Sequence, residues 1–167
     1  MTKAVIRLRP RLSSDHLGAF QELEKAARSR YPEDADFAFA SASPPIARER
    51  LENGDLVVAE DDRGIVGFIL TTPMDGGIYI ANISVASGCS GRGIGAALMN
   101  GALDDARGLS VTLTTFRTPR WNGPWFRRFG FTPIPEGLIG PGLRAVLERQ
   151  ARFVDPATRE TLWRSGC

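Results

Sequence analysis

Histidine is almost missing from this chain, His16 being the only one, and cysteine is confined to Cys89 and Cys167. No Cys/His spacing resembles a zinc site, so a metal is not expected. Cys89 lies in a glycine-rich loop and Cys167 is the last residue, which argues against a disulfide framework. Long apolar runs are lacking too. None approaches the ~18 residues of a spanning helix, and the opening MTKAVIRLRP lacks the apolar stretch of a signal peptide. The expectation is a cytoplasmic protein with no membrane partner. An excess of one sign of charge is also missing: formal net charge is +2, with basic residues scattered from Arg7 to Arg164, so nucleic acid is not an expected partner.

What is present suits a globular domain. The hydrophobic fraction of 43% and charged fraction of 24% lie near globular averages, and 167 residues suffice for one well-formed core. Alternation over Ala4 to Arg9 predicts a strand ending at Pro10. Ser13 or Ser14 offers an N-cap to an amphipathic helix through Arg28, whose apolar positions Leu17, Phe20, Leu23 and Ala27 recur at three- and four-residue steps. Tyr31 to Pro45 reads as a loop able to order over a ligand, and a short helix from Ile46 to Glu52 stops at Asn53-Gly54. A hairpin follows, from Leu56 to Ala59 and Ile65 to Leu70, then a strand from Ile78 to Val85.

After a glycine-rich segment, a helix is expected over Ile94 to Ala106, a strand over Val111 to Phe116, a short helix near Trp121 to Phe129, and a last strand over Phe131 to Ile134. Antiparallel strands early and strand–helix–strand units later imply an α+β class with a mixed, mostly antiparallel central sheet flanked by helices. Residues 1–135 read as the main domain and 136–167 as a helical extension packed on it. Leu143, Val146 and Leu147 lead that extension, and Asp155-Pro156 opens a second helix carrying Leu162 and Trp163.

The segment from Ile83 to Met99 places a strand, a loop with Gly91, Gly93 and Gly95, and a helix start in succession. Glycines let backbone approach an anion closely, and the open N–H groups of a helix N-terminus face it with a favourable dipole. A phosphate or pyrophosphate fits such a cradle; a tight strand-to-helix turn without ligand is the plainer alternative. No Gly-Lys-Ser or Gly-Lys-Thr follows, so this is not a Walker loop, and the spacing and mid-chain position differ from a dinucleotide fingerprint.

These residues resemble the GNAT family of N-acetyltransferases, and the resemblance covers most of the chain. The family's signature is Gln or Arg, two residues, Gly, one residue, then Gly or Ala. Gly93 and Gly95 match its second half, Gly91 and Arg92 fill the intervening places, Val85 sits at the expected distance upstream, and Ser90 stands where Gln or Arg is usual. A second match is Trp121-Asn122-Gly123-Pro124-Trp125-Phe126, closing on Gly130-Phe131.

The resemblance implies a GNAT-like fold that binds acetyl-CoA as cosubstrate through Ser84, Val85, Ser90, Gly91, Arg92, Gly93, Ile94, Gly95, Asn122 and Phe126. It implies a pantetheine contact for Asn122, which could equally cap the following helix. Two family features are absent. Phe126 occupies the place of a thiolate-protonating tyrosine, and Ala81 and Asn82 stand where a basic glutamate is common.

The expected activity is transfer of acetyl from acetyl-CoA to an amine of a small molecule or peptide by direct attack. The catalytic candidates are Glu24 as base, Tyr31 to orient the acceptor or relay a proton, and the backbone N–H near Val85 as oxyanion donor. Tyr79 could serve as Tyr31 does. The alternative for Glu24 is a solvated helix residue paired with Arg28, and Cys89 reads as a loop residue rather than a nucleophile. A non-catalytic acetyl-CoA-binding module is the competing function. A domain that forms homodimers through helices from Leu143 to Trp163 is a third.

Overall fold

The computed structural model describes residues 5–29, 44–118 and 120–166. Strand β1 (Arg7–Pro10), helix α1 (Leu17–Arg28), helix α2 (Arg48–Asn53), strands β2 (Asp55–Asp61), β3 (Gly64–Met74) and β4 (Gly77–Val85), and helix α3 (Ile94–Asp105) follow in order. Then come β5 (Val111–Phe116), α4 (Asn122–Arg127), β6 (Thr132–Pro133), α5 (Pro141–Ala151) and β7 (Arg159–Arg164). The strands form one seven-stranded sheet of order β1-β2-β3-β4-β5-β7-β6, antiparallel throughout except for the parallel β4–β5 pair. This is the mixed, mostly antiparallel α+β sheet that the element order predicts.

Alternation along the strands divides the core between two faces. Ala59, Ile69, Ile80 and Leu113 point to the side of α3 and α4, where Leu98, Met99, Phe126 and Phe131 complete a large cluster. Val58, Phe68 and Leu70 point the other way, onto Leu17 and Phe20 of α1 and Leu51 of α2. Farther along that second face, Tyr79 meets Leu143 and Val146 of α5. Phe20 and Phe68 pack edge to face with centroids 5.3 Å apart.

Three local expectations need correction. Helix α1 begins after His16, not at Ser13 or Ser14, because Asp15 is drawn elsewhere: it accepts the Leu12 N–H at 2.8 Å and pairs with Arg9 at 2.7 Å. The predicted second tail helix is instead a short 3-10 turn followed by β7, which lies between β5 and β6. Its alternation of Glu160 and Leu162 toward one face fits a strand, and Leu162 is completely buried beside Leu113. The strand expected over Phe131 to Ile134 shrinks to Thr132–Pro133 and is not the last, since Phe131 turns into the core and Pro133 can donate no ladder hydrogen bond.

The turn between β3 and β4 fixes α5. Asp75, at φ +51°, accepts the Gly142 and Leu143 N–H groups at 2.8 and 2.9 Å, capping a helix far away in sequence.

Candidate acetyl-CoA and acceptor site

Strands β4 and β5 pair only from Ile78↔Val111 to Ile80↔Leu113. Beyond that both strands continue, as 81–85 and 114–116, without pairing to each other. A wedge therefore opens in the middle of the sheet, where the β4–β5 ladder ends while β4 stays paired to β3 and β5 to β7. A register shift in the β3–β4 pair, between Leu70↔Asn82 and Thr71↔Ile80, leaves Ala81 as an extra residue in β4. This bulge sets Asn82 and Ser84 opposite Leu70 and Phe68, on the α1 side, and Ile83 and Val85 on the α3 side. Ser84 is buried and its hydroxyl donates to Asn82 Oδ1 at 2.6 Å. Ala86 N–H bonds to Val66 in β3, so strand alternation turns the Val85 N–H toward the side from which β5 has diverged.

The glycine-rich loop joins this wedge to α3. Gly91 and Gly93 have φ of +75° and +80°, left-handed values that favour glycine, and a Cβ on either would meet nothing within 4 Å. Gly93 is the N-cap of α3, without a side-chain cap, and the first turn holds no acidic residue. Ser90, Gly91 and Gly93 are exposed. The N–H groups of a twelve-residue helix thus face open space, a cradle that fits a pyrophosphate. Ile94 buries its side chain in the core, leaving only its backbone available to a ligand. Gly95 packs closely, since a Cβ there would lie 3.3 Å from the Trp125 ring, which would have to give by a few tenths of an ångström.

Arg92 turns back to Asp61, whose carboxylate accepts from it at 3.0 Å, from Arg63 Nη2 at 3.1 Å and from the Arg63 N–H at 2.9 Å. The Arg63 hydrogen bonds, with a smaller part from Arg92, hold the Asp61 carboxyl at about 2. Both guanidiniums also reach Cys89 Sγ, at 3.3 and 3.5 Å, so this buried, free cysteine is a packed member of the loop's polar base.

Asn122 is buried and does not cap α4. Its amide donates to Thr115 Oγ1 at 2.5 Å and to the Phe116 carbonyl at 2.9 Å, tying α4 to the diverging end of β5. Phe126 is core: its ring stands edge to face against Trp125 and Phe131, with centroids 4.9 and 6.3 Å away. Glu24 keeps the Arg28 pairing of one sequence reading but not its solvent exposure. It is paired with Arg28 at 2.6 Å, yet it is only 5% exposed, and its second carboxylate oxygen is buried without a hydrogen-bond partner among the described residues. It continues the inward stripe of Leu17 and Phe20 on α1, which packs across β4. Tyr31 lies outside the described residues.

Sequence reasoning missed a second group on the α1/α5 side of the sheet. Thr114, the first β5 residue past the paired stretch, has an Oγ1 that accepts from Gln150 and Arg159, each at 2.9 Å, and lies 3.3 Å from the Tyr79 hydroxyl. Tyr79 in turn walls a cavity of about 370 Å³ between α2, β3, β4 and α5. These residues come from four separate elements, and no local spacing advertises them.

Comparison with known proteins agrees with this geometry. Over 99% of the chain, the structure superposes on N-acetylglutamate synthase from Neisseria gonorrhoeae, solved with coenzyme A and N-acetyl-glutamate, at TM-score 0.70 and 20% identity. The match spans only 36% of that longer protein. A GNAT acetyltransferase from Elizabethkingia anophelis with acetyl-CoA bound matches at TM-score 0.63 and 15% identity, over 96% of this chain and 97% of that one. The ribosomal-protein-S18-alanine N-acetyltransferase from Escherichia coli matches at TM-score 0.65 and 16% identity, over 96% and 94%. At such identities the likeness establishes the fold. Residues 52–133, from the end of α2 through the glycine loop and α4 to β6, match the acetyltransferase (GNAT) domain, so this stretch of the chain is a domain of the GNAT acetyltransferase family.

Proposed function

We propose that the protein transfers the acetyl group of acetyl-CoA to an amine of a small molecule or peptide by direct attack, without a covalent enzyme intermediate. The observation that carries this reading is the opening between β4 and β5 beside an uncapped α3 N-terminus with two left-handed glycines. Acetyl-CoA, when bound, supplies the acetyl group as an activated thioester. The N–H groups at Gly93, Ile94 and Gly95 would hold its pyrophosphate, and the exposed Ser90 and Gly91 line the approach. The Val85 N–H, directed to the diverged side of β4, would donate to the thioester oxygen.

An amine attacks only when neutral, so a base must take its proton. Glu24 supports that role as a buried carboxylate on the helix across β4, with one oxygen held by Arg28 and the other open to a proton. The Arg28 pairing keeps the carboxyl oriented, as a positioning contact. Phe126 has no hydroxyl and fills the core, so it supplies no acid for the departing thiolate. A thiolate leaves tolerably without one. That same absence is what favours the second reading, a non-catalytic acetyl-CoA-binding module.

Thiol release from acetyl-CoA across a panel of amines separates the two readings, because a binding module gives none above background. In the catalytic reading, Glu24→Gln lowers kcat by ~100-fold while acetyl-CoA affinity stays at its wild-type value. A wild-type kcat would reduce Glu24 to a structural ion pair.

A further inference from the structure

Six arginines of the chain are paired with carboxylates among the described residues. Arg9, Arg28, Arg63, Arg92, Arg117 and Arg127 each lie within 4 Å of a carboxylate oxygen. Arg50 of α2 and Arg149 of α5 do not. Both line the 370 Å³ cavity, and neither makes an ion pair or side-chain hydrogen bond among the described residues. Glu49 borders the same cavity but pairs with neither of them among those residues.

The two guanidiniums are close enough to oppose each other's charge. Both arginines are exposed at the rim of the cavity, where partial loss of hydration and then the positive charge of Arg149 lower Arg50 from the usual arginine range. Two like charges held at one cavity raise the free energy of the empty protein, and an anion between them relieves it. Arginine's planar fork suits a carboxylate or phosphate, two of whose oxygens it can bind at once. Met74 and Val146 give the cavity apolar walls for a short aliphatic chain. Tyr79 links it, through its hydroxyl near Thr114, to the place where β4 and β5 part.

We infer that the amine acceptor carries an anionic group, a carboxylate or a phosphate, bound between Arg50 and Arg149. This rests on the acetyl-transfer reading for the identity of the ligand as an acceptor, while anion binding itself can be tested apart from turnover.

The test is calorimetry on the full chain in the presence of CoA, which supports no transfer. It compares alanine, glutamate and γ-aminobutyrate with their carboxamides, and phosphoethanolamine with ethanolamine. At least one anionic amine should bind ten-fold or more tightly than its neutral partner, and whichever pair shows the preference identifies the anion. Arg50→Gln and Arg149→Gln should each abolish the preference, Arg50→Lys should keep part of it, and CoA affinity should not change in any of them. Equal binding within every pair, a preference that survives both glutamine variants, or no binding of any anionic amine overturns the inference. Thiol release is scored separately. Anion preference without thiol release sinks acetyl transfer alone, and thiol release from neutral amines without anion preference sinks only the anion site.

Discussion

The two sides of the wedge are built from different materials. On the acetyl-CoA side the ligand surface is main chain: a strand end, a loop and a helix start contiguous from Ile83 to Gly95, with the arginine nearest to it, Arg92, neutralised by Asp61. On the acceptor side the surface is side chain, gathered from α2, β3, β4 and α5, and its two arginines carry no counter-ion among the described residues. A main-chain cradle recognises what every acetyl-CoA shares and tolerates substitution around it. A side-chain cavity recognises one acceptor and changes whenever one of its residues does.

The sharpest way to break this comparison is Gly93→Glu. It forces a side chain into the left-handed region and places a negative charge at the α3 N-terminus. Acetyl-CoA affinity should fall ~100-fold, about 2.7 kcal/mol, and the rise in Tm that acetyl-CoA gives the wild type should vanish, while amine binding at Arg50 and Arg149 persists. A full acetyl-CoA-induced rise in Tm would place the cradle elsewhere.

Asp61→Asn probes the polar base under the loop with a smaller effect. The Asp61 carboxyl sits at about 2 in the fold against an ordinary 3.8, so the native state binds its proton less readily than the unfolded chain. Its stabilising contribution is complete above the unfolded value and is lost as pH falls through the folded one. Urea midpoints across this acid range should therefore fall less steeply in the asparagine variant than in wild type; parallel curves would show that the Arg63 and Arg92 pairings contribute nothing to acid stability.

The smallest effect runs in the opposite direction. Arg50→Gln removes one of two unneutralised like charges, so the ligand-free protein should gain about 0.3 kcal/mol, seen as a slight rise in Tm at low salt that fades as salt is added. A loss of stability would mean that Arg50 is already compensated and would remove the electrostatic reason for an anion there.

How much could be read in advance follows the same division. The backbone of the glycine loop was legible, because the spacing of Gly91 and Gly93 records its left-handed geometry directly. The split of β4 from β5 was not, because it depends on where pairing stops, and a bulge at Ala81 leaves no mark in composition. Glu24 was singled out from its helical face, but the spacing to Arg28 suggested solvent exposure, whereas the fold buries Glu24 and leaves Arg28 half-buried. Of the two readings of Asn122, a pantetheine contact or a helix cap, the cap is not made: the side chain crosses to β5, a contact decided by tertiary packing. Arg50 and Arg149 lie on opposite sides of nearly the whole domain in sequence, and neither has a neighbour that marks it.

Strand β7 has a consequence for the order in which the chain can become complete. It lies between β5 and β6, and β6 has no other strand partner among the described residues. During synthesis β5 and β6 emerge well before residues 159–164, so an interior edge of β5 waits unsatisfied until almost everything described here has left the ribosome. The nascent protein must therefore finish its sheet from the middle, a late and long-range step that exposes a pairing-competent edge to other chains in the meantime.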